Sequence, residues 1–121
     1  MKKTLLLFII VLYGCKPDSS MYLNRINKAL STSFVYDEKR MNFYNSQGYK
    51  YFQAEIEIKL NENELDSIIK KNKSNLDYTN SIDDLMGREH YSKTLFFDEK
   101  INESITIFVD TKILYYNYNE K

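Results

Sequence analysis

Apolar residues follow three rhythms along this chain. They run unbroken from Leu5 to Tyr13, recur at helical spacing at Tyr22, Ile26, Ala29 and Leu30, and alternate strictly with polar residues from Tyr51 to Leu60. The alternation is the clearest. Phe52, Ala54, Ile56, Ile58 and Leu60 fall on one side of an extended chain, and Tyr51, Gln53, Glu55, Glu57 and Lys59 on the other. A strand that is dry on one face and wet on the other belongs to an antiparallel sheet, because strands of parallel sheets are usually apolar on both faces.

The residues after that strand read as a helix start. Asn61 can cap, Glu64 stands three positions on as the acid of a capping box, and Leu60 and Leu65 flank them as a hydrophobic staple. Leu65, Ile68 and Ile69 then face a core, and Lys70, Lys71 and Lys73 fall where cations suit the helix dipole. Upstream, Ser20 caps a short amphipathic helix over Met21 to Leu30. Phe34 to Tyr44 is aromatic with a charged break at Asp37 to Arg40, and reads as one bent strand or two short ones. Asn45-Ser46-Gln47-Gly48 reads as a hairpin turn.

Downstream, Asn72 to Asn80 is a polar loop, and Ser81 to Asp84 caps one short turn that Gly87 ends. Leu95 to Phe97 reads as an edge strand. Ile105, Ile107 and Val109 alternate, and Ile113 to Tyr118 is a second β-rich run joined to them through Asp110-Thr111-Lys112. The order implies an α+β fold: a small antiparallel sheet of two hairpins, about four strands, with one or two short helices packed on it.

The unbroken run at the start has a different meaning. Lys2 and Lys3 precede it, and it ends in Leu12-Tyr13-Gly14-Cys15, which reads as an export signal. Nine apolar residues reach only ~14 Å as a helix, against the ~30 Å of a bilayer core, so the segment is too short to span. Leu12, Gly14 and Cys15 resemble the lipobox of bacterial lipoproteins, with Tyr13 where that pattern usually has a small residue. The resemblance implies a diacylglycerol on the Cys15 sulfur, cleavage just before it, and acylation of the new N-terminus. It also gives the lone cysteine a use, since no intramolecular disulfide is open to it.

This divides the chain into a signal peptide over residues 1–14, a lipidated tether over 15–20 and a single domain over 21–121. Lys16-Pro17-Asp18 loosely resembles the Lys-then-acid pattern that follows the lipidated Cys in surface lipoproteins of Bacteroidota. Lys16 also differs from the Asp that retains lipoproteins in the inner membrane of proteobacteria. The expected location is a bacterial envelope, on an outer membrane where there is one.

Charge narrows the partners. Without Lys2 and Lys3 the chain carries fifteen basic residues against seventeen acidic ones, a formal charge of −2. A slightly acidic, exported domain lacks the basic surface that nucleic-acid binding needs. Candidate chemistry is sparse. His90 is the only histidine, and Asp83, Asp84 and Glu89 do not stand at zinc or calcium spacings, so neither metal nor other cofactor is expected. No Gly-rich phosphate loop or nucleophile elbow is present. Glu55 and Glu57 share a strand face about 7 Å apart, a spacing compatible with a hydrolase, though any solvated strand shows the same alternation.

Tyrosine is what remains. Ten follow the signal segment. Tyr49 and Tyr51 lie on the polar face of the best strand, and Leu114, Tyr116 and Tyr118 share one face of the last. Tyrosine is favoured at recognition surfaces because a rigid ring offers apolar area and a hydroxyl at little entropic cost. The expectation is a lipid-anchored, non-enzymatic protein that meets a protein partner through these residues: an assembly component, a modulator or an immunity-type protein. The alternative is a small-ligand binder or hydrolase built on Glu55 and Glu57.

Overall fold

Strict alternation does produce a half-wet antiparallel sheet, larger than the sequence pattern suggests. A computed structural model describes residues 19–79 and 88–121. Its elements are α1 (Ser19–Leu30), β1 (Met41–Gly48), β2 (Tyr51–Lys59), α2 (Glu62–Asn72), β3 (Asp77–Thr79), β4 (His90–Phe97), β5 (Ile101–Phe108) and β6 (Ile113–Glu120). The six strands form one sheet in the order β1-β2-β6-β5-β4-β3, and each neighbouring pair is antiparallel. One pairing, β2 with β6, joins strands distant in the sequence, so the chain returns after α2 and the β3–β5 meander to complete the middle of the sheet.

Register lines up the core. Ile56 and Ile105 flank Tyr116, while Ile58 and Ile107 flank Leu114. All six are buried, together with Tyr22, Leu23, Ile26 and Leu30 of α1 and Leu65 and Ile68 of α2. Both helices therefore cover the same face of the sheet. The Asn61 capping box forms as its spacing requires: the Asn61 side chain accepts from Glu64 N at 2.8 Å, and the Glu64 carboxylate accepts from Asn61 N at 3.0 Å. Leu60 and Leu65 are both buried beside it.

α1 ends without glycine. Ser31 takes a left-handed conformation (φ 56°), and Thr32 N donates back to Asn27 O at 3.1 Å, closing the helix in a Schellman-type bond. Asn72, buried at the end of α2, donates to Leu30 O and to Ile68 O, both at 2.9 Å, and so ties the helix ends together.

Four expectations are corrected. The strands number six, because β3 lies inside the segment read as a polar loop and β4 begins at His90 rather than Leu95. Asn45 to Gly48 is strand, not turn: β1 runs through Gly48, and the hairpin closes with Tyr49 and Lys50 alone, Lys50 taking φ 69°. Tyr51 folds back over Gly48, where a Cβ would stand 1.9 Å from Tyr51 Cε1. The break at Asp37 to Arg40 is a turn that precedes β1, with Met41 N donating to Asp37 O at 2.9 Å, and not an interruption within a strand. α1 begins at Ser19, two residues before the expected start. The lipobox, the tether residues Lys16 to Asp18, and the turn expected at Ser81 to Gly87 lie outside the described residues. Among the described residues no helix is long and apolar enough to cross a membrane.

Candidate functional site: an aromatic groove and an open sheet face

Among the described residues an open groove of about 870 Å³ lies at one end of the sheet, between the first turns of α1, the β1–β2 turn and the start of β5. A β-bulge helps to shape it. The register of β4 against β5 slips between Thr94 and Phe96, so Leu95 packs on the core while Phe96, paired with Glu103, reaches the groove. Tyr22, Phe52 and Tyr118 form an aromatic floor, with ring centroids 5.9 Å apart for Tyr22 and Tyr118 and 6.1 Å for Phe52 and Tyr118. A second cleft of about 560 Å³ adjoins it, between Tyr51 and Phe52 on one side and Phe97 to Asn102 on the other.

Beneath the groove lies the one acid buried among the described residues. Glu103 is 1% exposed and faces inward from β5. Its carboxylate accepts from both Nε and Nη2 of Arg25 and from the Tyr116 hydroxyl. Arg25 spans the boundary, gripping Glu103 while about half its side chain stays in water at the groove wall. Such a charge is tolerable only because every strong acceptor on it is engaged. Burial, and then the Glu103 carboxylate that it donates to, push the Tyr116 phenol well above its usual range. Burial pushes Tyr118 up to about 12, helped by its bond to Glu120 at 3.0 Å. Both phenols are donors at neutral pH, and neither is poised as a base or nucleophile.

The opposite face of the sheet carries no described element. At its centre Glu55 pairs with Tyr44 on one side and Asn117 on the other, while Glu57 pairs with Asn42 and Tyr115. Tyr115 meets Phe108 edge-on at 5.5 Å, and Phe108 contacts His90 at 5.7 Å. The Arg88 guanidinium lies 3.9 Å over the Phe108 ring and grips Asp110 with two nitrogens at 2.9 and 3.1 Å. Burial, and then the Glu57 charge, raise the Tyr115 phenol. The Oδ1 atom of Asn117 is buried within this face and accepts no hydrogen bond from the described residues. Glu55 and Glu57 are half-buried along a surface, and neither lines the groove or the adjoining cleft.

The tyrosines expected to act together are divided. Tyr49 is 90% exposed at the tip of the β1–β2 turn, and Tyr51 is half-exposed beside the groove. Tyr118 is part of the groove floor. Tyr116 is fully buried and holds Glu103, so it belongs to the core and not to a contact surface. Sequence reasoning missed Arg25, Glu103 and the open-face residues Tyr44 and Tyr115. Glu103 had a signal: it occupies the inward phase of the Ile101, Ile105, Ile107 alternation, where an acid requires a partner. His90 is buried with Nδ1 3.0 Å from Arg88 O, and among the described residues no group of three or more His, Cys, Asp or Glu side chains is placed to hold a metal ion.

Fold and site together describe a small α+β domain whose two helices cover one sheet face, with no described element over the other. No family model, curated protein or solved structure matches the chain.

Proposed function

We propose that this chain is a lipid-anchored protein of a bacterial envelope, held through Cys15 on the outer membrane where the cell has one, and that it works by binding a protein partner. The observation that carries the contact half is the open sheet face. Tyr44, Tyr115, Glu55 and Glu57 stand there side by side, stiffened by a β-sheet, Tyr44 exposed and the other three half-buried with no described element over them. Two carboxylates between two tyrosines suit a basic partner segment, because opposite charge steers the encounter and the rings supply apolar contact. The anchor half rests on the signal-like start and on Leu12, Gly14 and Cys15.

Each half has its own test. Labelled palmitate enters the wild-type chain and not Cys15→Ala; incorporation into the variant refutes the anchor. A photo-crosslinker placed at position 44 or 115 in intact cells captures one discrete partner, and one placed at Asp66 on the exposed side of α2 does not. With the crosslinker moved to Asn42 on the same face, Tyr44→Ala with Tyr115→Ala weakens that capture at least thirtyfold, since an aromatic contact at the centre of an interface is worth about 2 kcal/mol. If the tyrosine pair is silent and Glu55→Gln with Glu57→Gln removes a measurable hydrolysis, the face is a catalytic one.

A further inference from the structure

We infer that the groove end of the molecule rests on the lipid bilayer, with the rings of Tyr49, Tyr51 and Phe97 at the headgroup level. This rests on the anchoring proposed above and adds the orientation that anchoring alone leaves open.

The exposed apolar side chains are unevenly placed. Of the nine large ones exposed among the described residues, Met21, Tyr49, Tyr51, Phe96 and Phe97 gather at this end, Tyr49 at 90% and Phe97 at 74% exposure. They come from three separate segments: the first turn of α1, the β1–β2 turn, and the end of β4. Register brings these segments to one edge, because Phe52 and Ile101 both pair with Glu120. Surface hydrophobics scattered singly need no explanation, but a cluster on two hairpin tips marks an interaction surface.

The tether identifies the occupant. Cys15 lies four residues before Ser19, so the start of α1 is at most ~14 Å from an acyl chain on that sulfur. An eight-residue strand is ~27 Å long, which leaves the other end of the sheet beyond that reach. The aromatic cluster is thus at the end that the anchor would hold against lipid. Its side chains fit an interface: Tyr and Lys are residues whose apolar bodies enter the membrane boundary while their polar ends stay hydrated. Lys50 illustrates it, its Nζ 5.3 Å from the Tyr49 ring centroid.

Charge sets the lipid requirement. Lys50, Lys100 and Lys121 at this end are balanced by Asp98, Glu99 and Glu120. Asp98 is engaged in the β4–β5 turn, accepting from Lys100 N and Ile101 N at 2.7 and 2.6 Å, and Glu120 accepts from Tyr118. A balanced surface gains little from anionic headgroups, so attachment depends on ring burial and is nearly the same on neutral and on acidic membranes.

The chain contains no tryptophan and one cysteine, which permits a direct test. The chain from Cys15 onward is coupled through that thiol to a maleimide phospholipid in phosphatidylcholine vesicles containing brominated lipid. Single reporters are made as Phe97→Trp, Tyr49→Trp and, at the far end, Tyr36→Trp. The first two should shift to the blue and lose most of their emission to the bromine, and the third should do neither. Replacing part of the neutral lipid with phosphatidylglycerol should change little. In the uncoupled Cys15→Ser chain, adding Tyr49→Ala and Phe97→Ala should cut vesicle partitioning at least tenfold.

Equal emission at all three positions overturns the inference, and so does quenching that requires the anionic lipid. Emission changes that occur without bromine and grow with protein density assign the patch to a second copy of the chain, which also overturns it. The coupling is chemical, so these results do not depend on cellular lipidation. The mass of the mature N-terminus from cells tests the anchor separately.

Discussion

Arg25→Ala is the most informative single change in the core, because it removes the cation from a carboxylate that has no access to water. Glu103 is 1% exposed, whereas about half of the Arg25 side chain is solvated. Breaking a buried ion pair from one side costs about 3–5 kcal/mol, most of it the penalty for the charge left behind. Two features lower the figure here: Tyr116 continues to donate to Glu103, and the half-solvated Arg25 guanidinium attracts the carboxylate through a screened, water-rich boundary. We therefore expect a loss of about 2–3 kcal/mol, a large part of the 5–15 kcal/mol typical of a domain this size.

With a urea slope of about 2 kcal/mol/M, the unfolding midpoint falls by roughly 1–1.5 M at unchanged slope. The cause is isolated by a second substitution. Arg25→Ala with Glu103→Gln has no stranded charge and keeps a carbonyl acceptor for the buried Tyr116 hydroxyl, so it should recover at least half the loss. Urea denaturation followed by far-ultraviolet circular dichroism reads both variants. Equal midpoints for the single and the double variant would refute the reasoning, since the carboxylate would then cost nothing when unpaired.

Two further outcomes follow from the geometry. Asn61→Ala removes the acceptor for Glu64 N and opens the capping box, costing about 1 kcal/mol, whereas the exposed-face change Glu57→Gln stays within about 0.5; equal denaturation midpoints would place the start of α2 elsewhere. The folded-state phenols of Tyr116 and Tyr118 are raised, that of Tyr118 to about 12, above the ~10 of an unfolded tyrosine. A raised folded value contributes stability that is complete below pH ~10 and is lost as pH climbs through about 12. Stability measured by urea titration at successive pH values should hold to pH ~10 and then decline, more gently in Tyr118→Phe. A stability that is level to pH 12, or the same slope in the variant, would contradict the burial of these rings.

Elements whose signal is local were legible in the sequence. The alternation of β2 and the capping box of α2 depend on residues within four positions of each other, and both formed as their spacing requires. What failed depends on partners far along the chain. Asp77–Thr79 has no alternation of its own, and is a strand because its residues pair with Ser92, Tyr91 and His90. β4 was truncated in the reading because its bulge between Thr94 and Phe96 breaks the period of two just where the aromatics begin. The β1–β2 turn was misplaced by three residues because Asn45 and Gly48 are good turn formers, yet the pairing of Met41 through Gly48 with β2 outweighs that local preference and leaves Lys50 to adopt the left-handed conformation.

The site was legible only in part, for a physical reason that the tyrosines make plain. A period of two tells which residues share a face, and it placed Leu114, Tyr116 and Tyr118 together correctly. It does not tell which face the helices will cover. Once α1 lies across that side, Tyr116 sinks beneath Tyr22 and its hydroxyl must find an acceptor, which Glu103 supplies; the two residues explain each other, and Arg25 explains both. The rings left outside are then sorted by strand phase and by chain end. Tyr44 and Tyr115 point away from the helices, and Tyr49 and Tyr51 lie at the edge nearest Ser19. One composition thus serves three environments. A protein held at that edge by a lipid would turn its aromatic turns toward the bilayer and leave the tyrosine-bearing sheet face with Glu55 and Glu57 to a partner, so the orientation proposal and the contact proposal require different tyrosines and can fail independently.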